Sequence, residues 1–264
     1  VEWRSKAPML PLTLFRNRNF AGANLLTLWL YAALGGGLFF LPLNLIQVQG
    51  YSASAPGAAL LPFILIMFVL SRWAGRLVDT VGSRRPLMIG PLIAAAGFAL
   101  LALPSNGGPY WSSFLPGIAV LGLGMTVTVA PLTTTVMNAV GADAAGTASG
   151  VNNAVSRVAA LLAIAIFGGV MASVFDGALD DALRSAGLPD TLVQHVHAQR
   201  GRWAAVELPS GIDPGSAAAV QQAVAGAFVS GFRWVMGLSA ALALASALAA
   251  ALLISASPRP TSQA

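Results

Sequence analysis

Gly75-Arg76-Leu77-Val78-Asp79-Thr80-Val81-Gly82-Ser83-Arg84-Arg85-Pro86-Leu87 is a short basic stretch with long apolar sequence on both sides. No Asp, Glu, Lys or Arg occurs between Arg18 and Arg72 before it, or between Arg85 and Asp143 after it. Gaps of that length suit hydrocarbon, where a charged side chain at the bilayer centre costs roughly 3 kcal/mol or more. Of the 264 residues 56% are hydrophobic and 9% charged, against about a quarter charged in soluble domains. Such a chain lacks the polar groups to cover itself with a water-facing surface, so the stretch reads as a connector between two membrane spans.

A bilayer core of roughly 30 Å takes about 20 apolar residues per helix. Runs of that order lie at about 56–78 and 86–103 beside the connector, at 114–140, 146–174 and 228–256 after it, and at 20–46 before it. They are too long for barrel strands and lack alternation. The expected fold is an all-α membrane protein with six transmembrane helices. Residues 1–19 form a cytoplasmic linker segment, 20–256 the bundle with an extracytoplasmic loop at 175–227, and 257–264 a cytoplasmic tail.

Orientation comes from Lys and Arg in short loops, which favour the cytoplasm. The N-terminal segment (Arg4, Lys6, Arg16, Arg18) and the connector holding Arg72, Arg76, Arg84 and Arg85 are basic, whereas 47–54 and 104–113 carry no charge. Both termini are expected on the cytoplasmic side. The net acidic 175–227 loop lies outside, with room for a short amphipathic helix or hairpin and with Trp203 at the interface.

The net charge of +5 is scattered over segment ends, so nucleic acid is not an expected partner. Cysteine is absent, which rules out disulfides and thiolate metal sites. His195 and His197 supply only two nitrogen ligands, and no metal is assigned. No phosphate loop, nucleophile elbow or zinc-protease helix occurs, so neither a cofactor nor an enzyme activity is expected. The start at Val1, without an apolar signal region, reads as an internal cut point.

Gly75, Leu77, Asp79, Gly82, Arg84 and Arg85 match a Gly-x-Leu-x-Asp-x-x-Gly-x-Arg-Arg loop, and here the sequence resembles the major facilitator superfamily. Thr80 and Ser83 replace usual basic residues, as in the degenerate copy of that loop in the family's second half. Physically, Gly75 permits close helix approach, Gly82 a tight turn, and Asp79 is an acceptor for Arg84 or Arg85. The cluster is either a conformational lock or an ordinary basic loop with a solvated carboxylate.

Pro131-Leu132-Thr133-Thr134-Thr135-Val136-Met137-Asn138 and Gly146-Thr147-Ala148-Ser149-Gly150-Val151-Asn152-Asn153, with Arg157 and the start at Leu10-Pro11-Leu12, extend the likeness to the fourteen-helix drug:proton antiporters. The resemblance implies the C-terminal six-helix half of a secondary active transporter that exports small amphipathic compounds or drugs by proton antiport with alternating access. The implied setting is the cell inner membrane. The implied partners are the lipid bilayer, a small amphipathic or cationic substrate, protons, and an N-terminal six-helix bundle missing from this chain. The alternative is a non-transporting scaffold or an orphan half that assembles with another bundle.

Ser149, Asn152, Asn153, Ser156 and Arg157 follow helical spacing on the fifth span, and Thr134, Thr135 and Asn138 do so on the fourth. Polar groups at membrane depth face a bundle interior or a water-filled cavity. These eight are therefore candidate cavity-lining residues, with interhelical hydrogen bonding as the alternative. Ala142, Gly146, Gly150 and Ala154 form a small-residue stripe suited to helix packing. Gly35, Gly36, Gly37 and Pro42 mark a bend in the first span, and Trp29, Tyr31, Phe39 and Phe40 are either core or lipid-facing aromatics or a wall for flat cations. None of these middles contains Asp, Glu or His.

Overall fold

The computed structural model describes residues 12–105, 107–209 and 211–255. A 3-10 turn at Leu12–Arg16 leads into α1 (Arg18–Gln47). The short α2 (Ala55–Ala59) runs into α3 (Leu61–Val81), and α4 (Arg84–Leu101) follows. The short α5 (Tyr110–Ser113) precedes α6 (Leu115–Asn138), α7 (Ala145–Ser185), α8 (Asp190–Ala198) and α9 (Pro214–Leu253). Counting α2 with α3, six helices are long and apolar enough to cross a membrane. The described residues contain no strand, as the run lengths required.

One end of the bundle is tied by polar side chains. Asn17 caps α1, its Oδ1 accepting from the Asn19 and Phe20 amides at 2.9 and 3.3 Å, while its Nδ2 donates to the Ala139 carbonyl just past α6 at 2.6 Å. Arg84 donates to the Ala251 carbonyl at 2.6 Å and Arg18 to the Leu252 carbonyl at 3.5 Å. Both acceptors belong to the last turn of α9, where carbonyls lack helical partners and the dipole favours cations. Asn19 Oδ1 accepts from the Ser255 amide at 2.8 Å. The start of α1, the start of α4 and the ends of α6 and α9 thus share one level.

Within the bundle α1 packs on α7 and α9, α4 lies between α6 and α9, and α3 leans on α6. Glycine sets the closest crossings. A Cβ on Gly97 of α4 would stand 2.6 Å from the Leu121 backbone nitrogen of α6, and one on Gly35 of α1 would stand 2.6 Å from the Ala160 Cα of α7. Gly36 lies against the Phe167 ring and Gly37 against Phe98. The glycine triplet lies inside α1, which runs through Pro42 to Gln47, and it serves contact with two sides of the bundle.

The apolar run of the fifth span ends at 174, yet α7 continues to Ser185, and α9 begins at Pro214, ahead of the apolar run at 228. Across the end of the apolar run every fourth residue stays apolar: Phe167, Met171, Phe175, Leu179 and Leu183 are buried, and on α9 Val220, Val224, Ala227 and Phe228 are buried. That stripe zips the two helices together where polar residues cover the outside. With 41 and 40 residues, each helix is roughly 60 Å long at 1.5 Å per residue, about twice a bilayer core. The 175–227 segment therefore begins and ends in a helical stem.

α8 and the residues after it fold onto this stem as a cap. Asp180 of α7 accepts from Arg200 and lies 3.3 Å from His197 Nε2. The Gln199 side-chain amide pairs with the backbone of Glu207, accepting from its N–H at 3.1 Å and donating to its carbonyl at 2.9 Å. Trp203, at φ 52°, packs its ring between Phe40 of α1 and Phe228 of α9, with centroids 5.6 and 6.3 Å away. Two aromatic contacts hold this residue in a backbone region that side chains rarely adopt.

Candidate functional site

The polar residues of α7 divide between two directions. Asn152 turns towards α1, its Nδ2 donating to Thr27 Oγ1 at 2.7 Å and to Asn24 Oδ1 at 3.3 Å. Thr27 in turn donates to the Ala23 carbonyl at 2.8 Å, and Asn24 to the Phe20 carbonyl at 2.9 Å. Asn24 and Thr27 are buried, so this network stitches α1 to α7 in a medium that offers polar groups no water. Asn153 and Arg157 are exposed, whereas Ser149 and Ser156 are half-buried. Ser156 donates back to the Asn153 carbonyl at 2.8 Å.

On α6, Thr135 is buried and donates to the Pro131 carbonyl at 2.7 Å, while half-buried Thr134 donates to the Ala130 carbonyl at 3.1 Å. Such back-bonding satisfies the hydroxyl on its own helix. Asn138 is exposed in the last turn. Asn153, Arg157 and Asn138 are thus the open members of the eight, Thr135 lies in the bundle interior, and Asn152 bridges two helices. Sequence reasoning passed over Asn24 and Thr27, although two polar residues three apart in a run free of charge are a signal for an interhelical bond.

In the loop motif, Gly75 is exposed with nothing within 4 Å of a Cβ placed on it, Leu77 is half-buried, and Gly82 ends α3 at φ 74°. Arg84 is committed to the end of α9, and its buried Nε has no partner among the described residues. Arg85 is exposed. Asp79 is helical, and its side chain lies outside the described residues.

Among the described residues no helix lies against the small-residue stripe on α7: Gly146 and Gly150 meet nothing within 4 Å, and Ala154 is exposed. The Ala142 side chain lies outside the described residues. Farther along α7 Leu161 is 69% exposed, and on α3 Phe68 is 77% and Trp73 71% exposed. Of the aromatics on α1, Phe40 is fully buried, Phe39 exposed, and Trp29 and Tyr31 half-buried. His195 approaches the Glu207 carbonyl at 3.0 Å. No cluster of three His, Asp or Glu suited to a metal occurs among the described residues.

A six-span apolar bundle with this glycine and Arg-Arg turn has a counterpart among known proteins. A sequence profile described as Major Facilitator Superfamily matches residues 2–164. The chain belongs to the major facilitator superfamily. It is 32% identical over 199 residues to the multidrug resistance protein Stp of Mycobacterium tuberculosis, covering 75% of this chain and 36% of that protein. Against the tetracenomycin C resistance and export protein of Streptomyces glaucescens it is 29% identical over 253 residues, 95% of this chain and 46% of the relative. The multidrug transporter MdtP of Bacillus subtilis is 28% identical over 185 residues, 69% and 34% of the two chains. This facilitator chain spans about a third to a half of the length of these relatives. It is a multi-pass membrane protein of a transporter family whose relatives are drug-resistance and export proteins, and it is not an enzyme.

Proposed function

We propose that this chain is the C-terminal six-helix bundle of a secondary active exporter of small amphipathic compounds, working by proton antiport and alternating access against an N-terminal bundle. The setting is the cell inner membrane with both termini cytoplasmic. The observation that carries this reading is the unpartnered face of α7, where Gly146, Gly150, Asn153 and Arg157 stand open beside exposed Leu161. Asn153 and Arg157 on a lipid-facing surface would carry unsatisfied polar groups, and a second bundle with a hydrated cleft between the two removes that cost. Gly75 is equally open on α3, so the loop motif is available to lock one arrangement of the two bundles. The drug-resistance relatives supply the substrate class.

The middles of these six helices hold no Asp, Glu or His, so proton exchange belongs to the facing bundle. In liposomes with an imposed pH gradient, the chain alone is expected to leave a fluorescent amphipathic drug unmoved, and the chain assembled with its facing bundle to accumulate it. Gradient-driven uptake by the chain alone, abolished by a protonophore, would overturn the division of labour. Failure of the assembled pair to transport any compound of a broad drug panel would overturn the transport reading.

A further inference from the structure

Arg157 stands at a depth where a charge is costly. The bonded pair Asn152–Thr27 and the contact of Ala160 with Gly35 bracket it, which places it level with the middle of α1 (Arg18–Gln47). Measured along α7 it lies roughly 18 Å from Ala145, near the centre of a core about 30 Å thick. Snorkelling serves cations near helix ends and does not serve one at this level.

Among the described residues no carboxylate reaches it, and Arg157 has no ion pair. On its own helix the nearest acid in sequence is Asp176, roughly 28 Å away along the axis, and Asp143 precedes the helix, fourteen residues back. α1, α4, α6 and α9 contain no Asp or Glu, and Asp79 belongs to the loop motif at the end of α3. The other charged side chains inside the apolar runs, exposed Arg72 and Arg76 on α3 and Arg233 on α9, are also cations. The wall therefore presents positive charge and, among the described residues, no compensating acid.

The surroundings of Arg157 are shaped for an amphipathic guest. Helical spacing puts Gly146, Gly150 and Ala154 on its face towards one end, where the missing side chains leave room. Exposed Leu161 and Ala165 lie on the same face towards the other end. A guanidinium offers five N–H donors in a planar fork that suits a carboxylate or sulfonate.

We propose that Arg157 is the charge-selecting residue of the substrate wall and that the molecule transported is an amphipathic organic anion, its anionic group on the guanidinium and its apolar body against Leu161 and Ala165. This rests on the transport reading above and narrows its substrate class away from cations, which a positive wall repels.

The test uses carboxyfluorescein as anion and ethidium as cation. Binding to the purified chain in nanodiscs of zwitterionic lipid is followed by fluorescence anisotropy, and export by the assembled transporter is followed in cells. Wild type is expected to favour carboxyfluorescein. Arg157→Gln is expected to weaken its binding roughly ten- to hundred-fold, the range of a charged hydrogen bond, without loss of ethidium binding, and Arg157→Lys to restore part of it. Preference of wild type for ethidium, binding of neither probe, anion binding unchanged in Arg157→Gln, or equal loss of both probes would each overturn the proposal. The last result would mark Arg157 as the partner of a protein carboxylate. If charge-selective binding holds while export is absent, the transport reading falls and the anion site stands. Export of ethidium without charge-selective binding gives the reverse.

Discussion

Two glycine-to-alanine substitutions on the α1–α7 side of the bundle should act in opposite directions. At Gly35 the new Cβ would stand 2.6 Å from both the Cα and the Cβ of Ala160, where carbon atoms prefer about 3.5–4.0 Å. Ala160 offers no flexible side-chain end to move, so α1 and α7 must separate by about 1 Å. Overpacking of this kind costs about 1–3 kcal/mol. Separation also stretches the 2.7 Å Asn152–Thr27 bond on the same interface, a further loss of about 0.6 kcal/mol. The helical preference of alanine returns up to about 1 kcal/mol. The net expectation for Gly35→Ala is a destabilisation of about 1–3 kcal/mol. At Gly150 nothing lies within 4 Å of a Cβ, so Gly150→Ala should leave the chain as stable or up to about 1 kcal/mol more stable. The assay is equilibrium unfolding in mixed detergent and SDS micelles, followed by far-ultraviolet circular dichroism. A Gly35 variant within 0.5 kcal/mol of wild type, or a Gly150 variant as damaged as the Gly35 one, would refute the packing argument.

Replacing Asn152 with Leu removes both donors to Asn24 and Thr27, and the same unfolding assay should show a loss of about 1–2 kcal/mol; no loss would mean the network is idle. With no native cysteine, single cysteines at exposed Ser52 and Ser105 should react with an impermeant thiol reagent from outside, and one at exposed Thr80 should not; labelling of Thr80 in intact cells inverts the proposed orientation. Bonds from Ser216 and Gly215 hold the Asp213 carboxyl below the usual carboxylate range. Its capping of α9 is therefore complete above the unfolded-state value and fades as pH falls through the lower folded-state value, and amide exchange at Gly215 and Ser216 should rise there in wild type but show no such step in Asp213→Asn. In the assembled transporter Asp79→Asn should sharply reduce export while leaving membrane insertion intact, and normal export would reduce the motif to an ordinary basic loop.

The all-α bundle was legible because hydrocarbon imposes a coarse rule: uncharged runs of membrane length between turn residues. Helix ends outside the bilayer were not, since there the code changes from bulk hydropathy to a narrow stripe. Phe175, Leu179 and Leu183 continue α7 through a stretch that average composition marks as loop. The eight candidate cavity residues shared helical spacing, but spacing alone does not say which neighbour each one meets. Asn152 and Asn153 are adjacent in sequence and point to different environments, one bonded to α1 and one open. Which neighbour a glycine meets was not legible either: the Gly35 triplet is a contact surface inside α1, whereas Gly146 and Gly150 meet nothing within 4 Å among the described residues and stay open to a facing bundle. Arg84 was readable as part of a motif, but its bond to the end of α9 joins residues 167 positions apart, a relation no local pattern contains.

α7 and α9 pass from the membrane into the cap without interruption, so the stem behaves as a stiff lever fixed to the bundle. A tilt of about 10° displaces a point roughly 30 Å along such a rod by about 5 Å. A spin label or a small rigid binding protein attached at exposed Ala186, just past the tip of α7, would magnify any tilt of the bundle into a displacement measurable in the aqueous phase, far from the apolar spans.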